Sequence, residues 1–219
     1  MKTDKEIQKD VIAELNFDPA VNQAEIGVEV KDGVVTLSGH VSNYPEKWNA
    51  ETAAQRVAGV QALVIDMDIV QPTLSVRSDA DIALSVEHIL RWKTFLPENA
   101  VKIMVENGWV KLSGEVEWEY QRLLTIEAIR HITGVTGVSD DIKLKPKSNA
   151  GSSEIKAVVE AALKRRAKDA APNIQVAVQG SEVKLTGKVL NWSERYLATH
   201  SAWSTPGVSN VKDHMVFTR

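Results

Sequence analysis

Chemistry needs acids, bases, nucleophiles or metal ligands at workable spacings, and histidine is the first place to look for them. The five histidines of this 219-residue chain, His40, His88, His131, His200 and His214, form no H-x3-H or H-E-x-x-H arrangement. A metal site would therefore have to gather its ligands from distant segments. Ordinary polar or partly buried histidines are the expectation for all five. No phosphate loop, dinucleotide fingerprint or G-x-S-x-G elbow occurs in the chain. There is no cysteine, which removes disulfides and thiolate-held metals. The acidic run "EVEWEY" at 115–120 and the pair Asp140 and Asp141 read as solvated faces. These patterns predict a protein that is not an enzyme and takes no cofactor or metal.

What remains is binding chemistry, concentrated in three places. "LKRRAKD" clusters Lys164, Arg165, Arg166 and Lys168 at the end of a helical pattern. Anionic headgroups are the natural ligand of such a cluster, at up to about 1 kcal/mol per basic residue near a charged membrane. Cations in the last turn of a helix are also favoured by its dipole with no ligand at all. The matching stretch "LRWKTFLPENA" sets Trp92 and Phe95 among Arg91 and Lys93. A tryptophan flanked by cations suits a membrane interface, yet Trp92 matches Phe17 in register, which favours a role covering the core. Trp109 sits in a strand and by alternation points away from Val110 and Leu112. An exposed tryptophan on a strand face implies a partner surface or a contact between modules. Four more tryptophans, Trp48, Trp118, Trp192 and Trp203, fall in or just before helical segments.

Charge distribution says more than total charge. Residues 1–72 carry 6 basic and 12 acidic groups (−6), residues 73–147 carry 10 and 11 (−1), and residues 148–219 carry 10 and 6 (+4). This ladder from acidic to basic either orients one end toward an anionic surface, lets the ends of different molecules attract, or reflects drift between copies. Salt weakens both attractions, because the screening length shrinks to about 10 Å at 0.1 M. A net charge of −3 lacks the broad basic face that nucleic-acid binding needs, so no nucleic-acid partner is expected.

The elements that carry these residues come in three copies. The phrases "GVVTLSGHV", "GWVKLSGEV" and "SEVKLTGKV" place Gly39, Gly114 and Gly187 at intervals of 75 and 73 residues, which is domain spacing. A second glycine follows each by 20 residues, at Gly59, Gly134 and Gly207, always before valine. Each copy opens with apolar residues spaced by four, Ile7, Val11 and Leu15 in the first, which marks one helix face. Start signals precede them: "TDKE" and "SDAD" resemble capping boxes, and Ser152 in "GSSE" offers an N-cap. Alternation at period two follows, as in Ile26, Val28 and Val30, then the turns "KDG", "ENG" and "QGS". Asp-Gly or Asn-Gly between alternating strands signals a hairpin. The first glycine is expected at a bulge or where a helix approaches closely. A second helix over 45–58, 120–133 and 193–206 then ends at the second glycine, read as a left-handed C-cap, and a last strand closes the unit. The fold class is α+β: three tandem αββαβ modules at 1–72, 77–147 and 152–219, each with two helices on one face of a three-stranded mixed sheet. The linker "QPTLSVR" at 71–77 allows close docking of the first two modules, and the polar "KPKSNAGSS" at 145–153 leaves the third free to move.

The recurring "V-x-L-x-G-x-V" strand, the short helix and the terminal "GVQAL", "GVTGV" and "GVSNV" resemble the BON domain in all three modules. That resemblance implies non-catalytic bacterial binding modules, often in the envelope, that attach to phospholipid, a membrane surface or a protein partner. It also implies a stress-related role, since an osmotically inducible periplasmic relative carries two such domains and an export signal. A soluble scaffold or self-associating module without lipid contact is the competing reading. The opening "MKTDKEIQKDV" lacks the apolar stretch of a secretory signal. It points to the cytoplasm, with the periplasm or envelope as the alternative if an export signal has been removed.

Overall fold

The computed structural model describes residues 2–70, 77–147, 150–166 and 173–218. Residues 71–76 and 148–149 of the two linkers, and Lys168, lie outside the described residues. The elements fall into three repeats. The first is α1 (Asp4–Phe17), β1 (Ile26–Lys31), β2 (Val34–Val41), α2 (Tyr44–Arg56) and β3 (Ala62–Ile69). The second is α3 (Asp79–Trp92), β4 (Val101–Glu106), β5 (Trp109–Val116), α4 (Glu119–Arg130) and β6 (Gly137–Leu144). The third is α5 (Ser152–Arg166), β7 (Ile174–Gln179), β8 (Glu182–Val189), α6 (Trp192–Trp203) and β9 (Asn210–Phe217). The phrase strand is central in each sheet, giving the orders β1-β2-β3, β4-β5-β6 and β7-β8-β9. In the first and third sheets it runs antiparallel to the strand before it and parallel to the strand after α2 or α6. By packing, the chain divides into two compact units, Met1–Ser113 with Leu124–Asp141, and Gly114–Leu123 with Ile142–Arg219.

Local signals explain where helices begin. Thr3 and Ser78 form capping boxes with Glu6 and Asp81, satisfying helix N–H groups in both directions. Their hydrogen bonds hold both carboxyls below the usual carboxylate range. Ser152 is no N-cap: it is the first residue of α5, and its hydroxyl donates to the carbonyl of Gly180 in the hairpin turn. Asp4 and Asp79 hold the corresponding place, and each carboxylate accepts both N–H groups of its hairpin, from Asp32 and Gly33 or from Asn107 and Gly108. The helix start thereby pins the tip of the hairpin that follows it. Both turns have two successive residues at positive φ, as two-residue hairpin loops require.

The core lies between the helices and one sheet face. In the first repeat Ile7, Val11 and Leu15 of α1 meet Val35, Leu37 and Met67, all nearly inaccessible. Ala50, Ala53 and Ala54 let α2 lie close to the strands, and Ala198, Ser201 and Ala202 do the same for α6. The phrase glycine is needed for main-chain approach. A Cβ at Gly39 would stand 2.1 Å from the carbonyl oxygen of Glu25, just before β1, and one at Gly187 would stand 2.0 Å from that of Asn173. What comes close at Gly39 is the end of a short 3-10 helix, Gln23–Glu25, that leads into β1, and at Gly187 the residue that leads into β7, not one of the long helices. The second glycine also differs from expectation. Helix α2 stops at Arg56 with an extended Val57, so Gly59 lies in the turn beyond the cap. A side chain at Gly59, Gly134 or Gly207 would crowd Ile7, Ile82 or Ile155 of the same repeat. These glycines make room for the apolar anchor of the first helix, and the second helices end earlier than the spacing predicts.

Candidate functional site

Trp92 ends α3, in the place that Phe17 holds in α1 and Arg165 in α5. It is 84% exposed, and Phe17 is 82% exposed. The core-covering role expected from register is overturned: in the last turn of the first helix Leu15 is buried, while the end residues Phe17 and Trp92 point to solvent. Arg91 pairs with Glu87 one turn back, and Lys93 Nζ lies 6.0 Å from the centroid of the half-buried Phe95. Arg91, Trp92, Lys93 and Phe95 are thus brought together, two cations beside one projecting indole.

A groove of about 540 Å³ runs beside Trp92, walled by His88, Ile89 and Lys93 of the first helix and its cap and by Leu124, Glu127 and His131 opposite. The first repeat carries a clamp at the same place. There Arg56 bridges to Glu14 at 3.1 Å and Asp18 at 3.7 Å, tying the helix ends together. The corresponding residues of the second repeat are His131, Ile89 and Lys93, which cannot form that clamp. The lost clamp was visible in the sequence as a three-position difference between copies.

Lys164, Arg165 and Arg166 are all exposed in the last turn of α5 and make no ion pair among the described residues. They belong to the compact unit that does not contain Trp92. Trp109 is 50% exposed on the outer sheet face, as alternation predicts. Its ring lies over Gly137, where a Cβ would come within 2.4 Å of it, and its Nε1 donates to Ser139 Oγ at 2.8 Å. Its one hydrogen-bond donor is therefore already used on its own sheet.

Contacts between repeats use other tryptophans. Arg130 stacks on Trp48 with its guanidinium carbon 3.6 Å from the ring centroid, and Arg122 lies 5.1 Å from the ring of Trp203. Around Arg130, burial pushes the Glu51 carboxyl and the Tyr44 phenol up and the guanidinium down. Glu51 therefore opposes folding while charged. Glu51→Gln is expected to raise the urea midpoint at neutral pH. The two proteins should converge as the pH falls through the raised folded value toward the ordinary carboxylate range, because the protonated native state then gains stability. Urea titrations from pH 4 to about pH 7.5 check this.

The acidic run is not wholly solvated. Glu119 is 5% exposed and forms a two-pronged pair with Arg122, at 2.8 and 2.6 Å, while Glu115 and Glu117 pair with Lys145 and Lys147. Asp141 pairs with Lys111 at 3.0 Å. Among the described residues no cluster of three or more His, Cys, Asp or Glu could hold a metal ion, and no helix is long and apolar enough to cross a membrane.

Two solved structures of CdsD, a structural protein of the type III secretion system of Chlamydia trachomatis, resemble the chain at 15% identity. One has a TM-score of 0.28 and coverage of 96% of this chain and 91% of that one. The other, its C-terminal domain, has a TM-score of 0.27 and coverage of 96% of both. Matches at this level say nothing about ligand or partner. No curated protein gives a significant match. The family model for the BON domain matches at residues 3–71, 78–146 and 152–219, so three αββαβ repeats with one family signature each make this chain a member of the BON-domain family.

Proposed function

We propose that the protein is a non-catalytic binding protein that attaches to anionic phospholipid surfaces of the bacterial membrane or envelope, in a stress-related role. The observation that carries this reading is Trp92, 84% exposed at the end of α3 between Arg91 and Lys93. An indole this exposed gains by entering the interfacial layer of a bilayer, where flanking cations meet phosphates. The same place in the third repeat holds Arg165 between Lys164 and Arg166, so two repeats offer the membrane complementary chemistry at one structural position. Binding of this kind is electrostatic first and apolar second.

Flotation with vesicles containing phosphatidylglycerol, against vesicles of phosphatidylcholine alone, tests it. The chain is expected to float with the anionic vesicles and to be released by about 0.5 M salt. Lys164→Glu/Arg165→Glu is expected to weaken binding at least tenfold, since two favourable terms of up to about 1 kcal/mol each become repulsive. Trp92→Ala should weaken it further. Equal flotation with neutral vesicles, or none with anionic ones, would overturn the reading.

A further inference from the structure

The outer face of each sheet, the one away from the helices, carries its own charge pattern. In the first repeat, strand register sets Glu29 beside Thr36 and Val64, Ser38 beside Asp66, and His40 beside Asp68. Glu29, Asp66 and Asp68 are exposed and have no side-chain hydrogen bond or ion pair among the described residues. Val64 lies among them, 48% exposed, with Lys31 at the edge. In the third repeat, Lys184 sits beside Lys212, Thr186 beside His214, and Lys188 beside Val216. Lys184 and Lys188 are exposed and also unpaired among the described residues, Val216 is 57% exposed, and Lys212 is held by Glu182 at 2.8 Å. The middle repeat differs, because its outer face neutralises charge internally through Lys111 and Asp141. Unpaired charge is thus net acidic on the first face, three carboxylates against Lys31, and basic on the third, each around an exposed valine.

We infer that the outer sheet face of the first repeat binds the outer sheet face of the third repeat in a second copy of this chain. A second copy supplies the opposite charge and a matching valine, whereas pairing of like faces would set unpaired like charges against each other. A contact between two different faces is heterologous, so every copy offers both halves, and association continues beyond two unless it closes on itself. Three strands about 4.8 Å apart and roughly seven residues long give each face on the order of 300 Å², which is small for a stable interface. Each joint is therefore weak, salt-sensitive and dependent on concentration. This inference does not rest on lipid binding, which uses the helix ends.

Sedimentation velocity of the full chain, from micromolar to near-millimolar concentration, tests it at about 0.02 M and about 0.5 M salt. Wild type is expected to form larger species with rising concentration at low salt and to be monomeric at high salt. Asp66→Lys/Asp68→Lys and Lys184→Glu/Lys188→Glu should each lower the association constant at least tenfold. Their equimolar mixture should associate again, because the new basic face of one meets the new acidic face of the other; misfolded variants would not recover in this way. Lys164→Glu/Arg165→Glu should self-associate as wild type does. A monomer under all conditions, variants that associate unchanged, or a mixture that stays monomeric would overturn the inference. Loss of vesicle flotation in Lys184→Glu/Lys188→Glu without any self-association of wild type would assign the face to lipid instead.

Discussion

Gly187→Ala is expected to unfold the third repeat or leave it close to unfolding. Gly187 has φ +129°, and a Cβ there would stand 2.0 Å from the carbonyl oxygen of Asn173 and 3.0 Å from its carbonyl carbon. The left-handed side of the backbone map alone costs an alanine about 1–2 kcal/mol. Main chain cannot rotate away as a flexible side chain can, so β7 must shift against β8 and the hydrogen-bonded register is strained as well. A total of at least about 3–4 kcal/mol places the change in the severe class. A repeat of this size has only roughly 4–10 kcal/mol to lose, at 0.05–0.15 kcal/mol per residue. Gly151→Ala is the control, because its Cβ would meet nothing within 4 Å. Hydrogen exchange of the β8 amides reads the difference repeat by repeat, which a single melting curve of a three-domain chain does not. Protection equal to wild type in Gly187→Ala would show that the close approach is dispensable.

Arg122→Leu is expected to destabilise the chain by about 2–3 kcal/mol. Glu119 is 5% exposed, and the guanidinium that neutralises it is also the one lying against Trp203. Removing one partner of a fully buried pair costs about 3–5 kcal/mol, and the partial exposure of Arg122, 21%, reduces that. Glu119→Gln/Arg122→Leu should recover most of the loss, because no uncompensated charge then remains. A double-mutant cycle from urea unfolding measures the coupling. Equal losses in the single and double variants would mean that packing on Trp203, and not the charge pair, is what Arg122 supplies.

Arg122 also belongs to a pattern that runs through the copies. Lys47 and Arg195 hold the same place in the other second helices, and each fastens its helix to the sheet: Lys47 donates to the carbonyl of Met67, and Arg195 pairs with Asp213 at 2.6 Å. The three cations stood at one offset in the aligned repeats, so the position was legible. Two of the acceptors, Met67 and Asp213, were not, because each lies on the last strand of its repeat, whereas Glu119 is only three residues from Arg122 on the same helix.

Local rules were enough for the elements. Apolar spacing of four in the first helices, alternation in the hairpin strands and Asp-Gly or Asn-Gly between them act within a few residues, so the αββαβ order and its threefold recurrence could be read directly. The capping boxes at Thr3 and Ser78 belong to the same class. Side-chain exposure at Trp109 followed from strand parity alone.

Tertiary structure decided whatever depends on distant neighbours. Register with Phe17 could not reveal that Trp92 is exposed, since matching positions in two copies say nothing of what, if anything, packs against them. The acidic run looked solvated, yet Glu119 is buried because α4 packs down at its first turn. The repeated glycines announced a constraint without its cause, which is the main chain before the neighbouring strand at Gly39 and Gly187 and the first-helix isoleucine at Gly59, Gly134 and Gly207. The charge ladder was countable from composition. Only strand register assembled Asp66, Asp68 and Glu29 on one open face and Lys184 and Lys188 on another, because same-face neighbours in a sheet come from segments far apart in the chain.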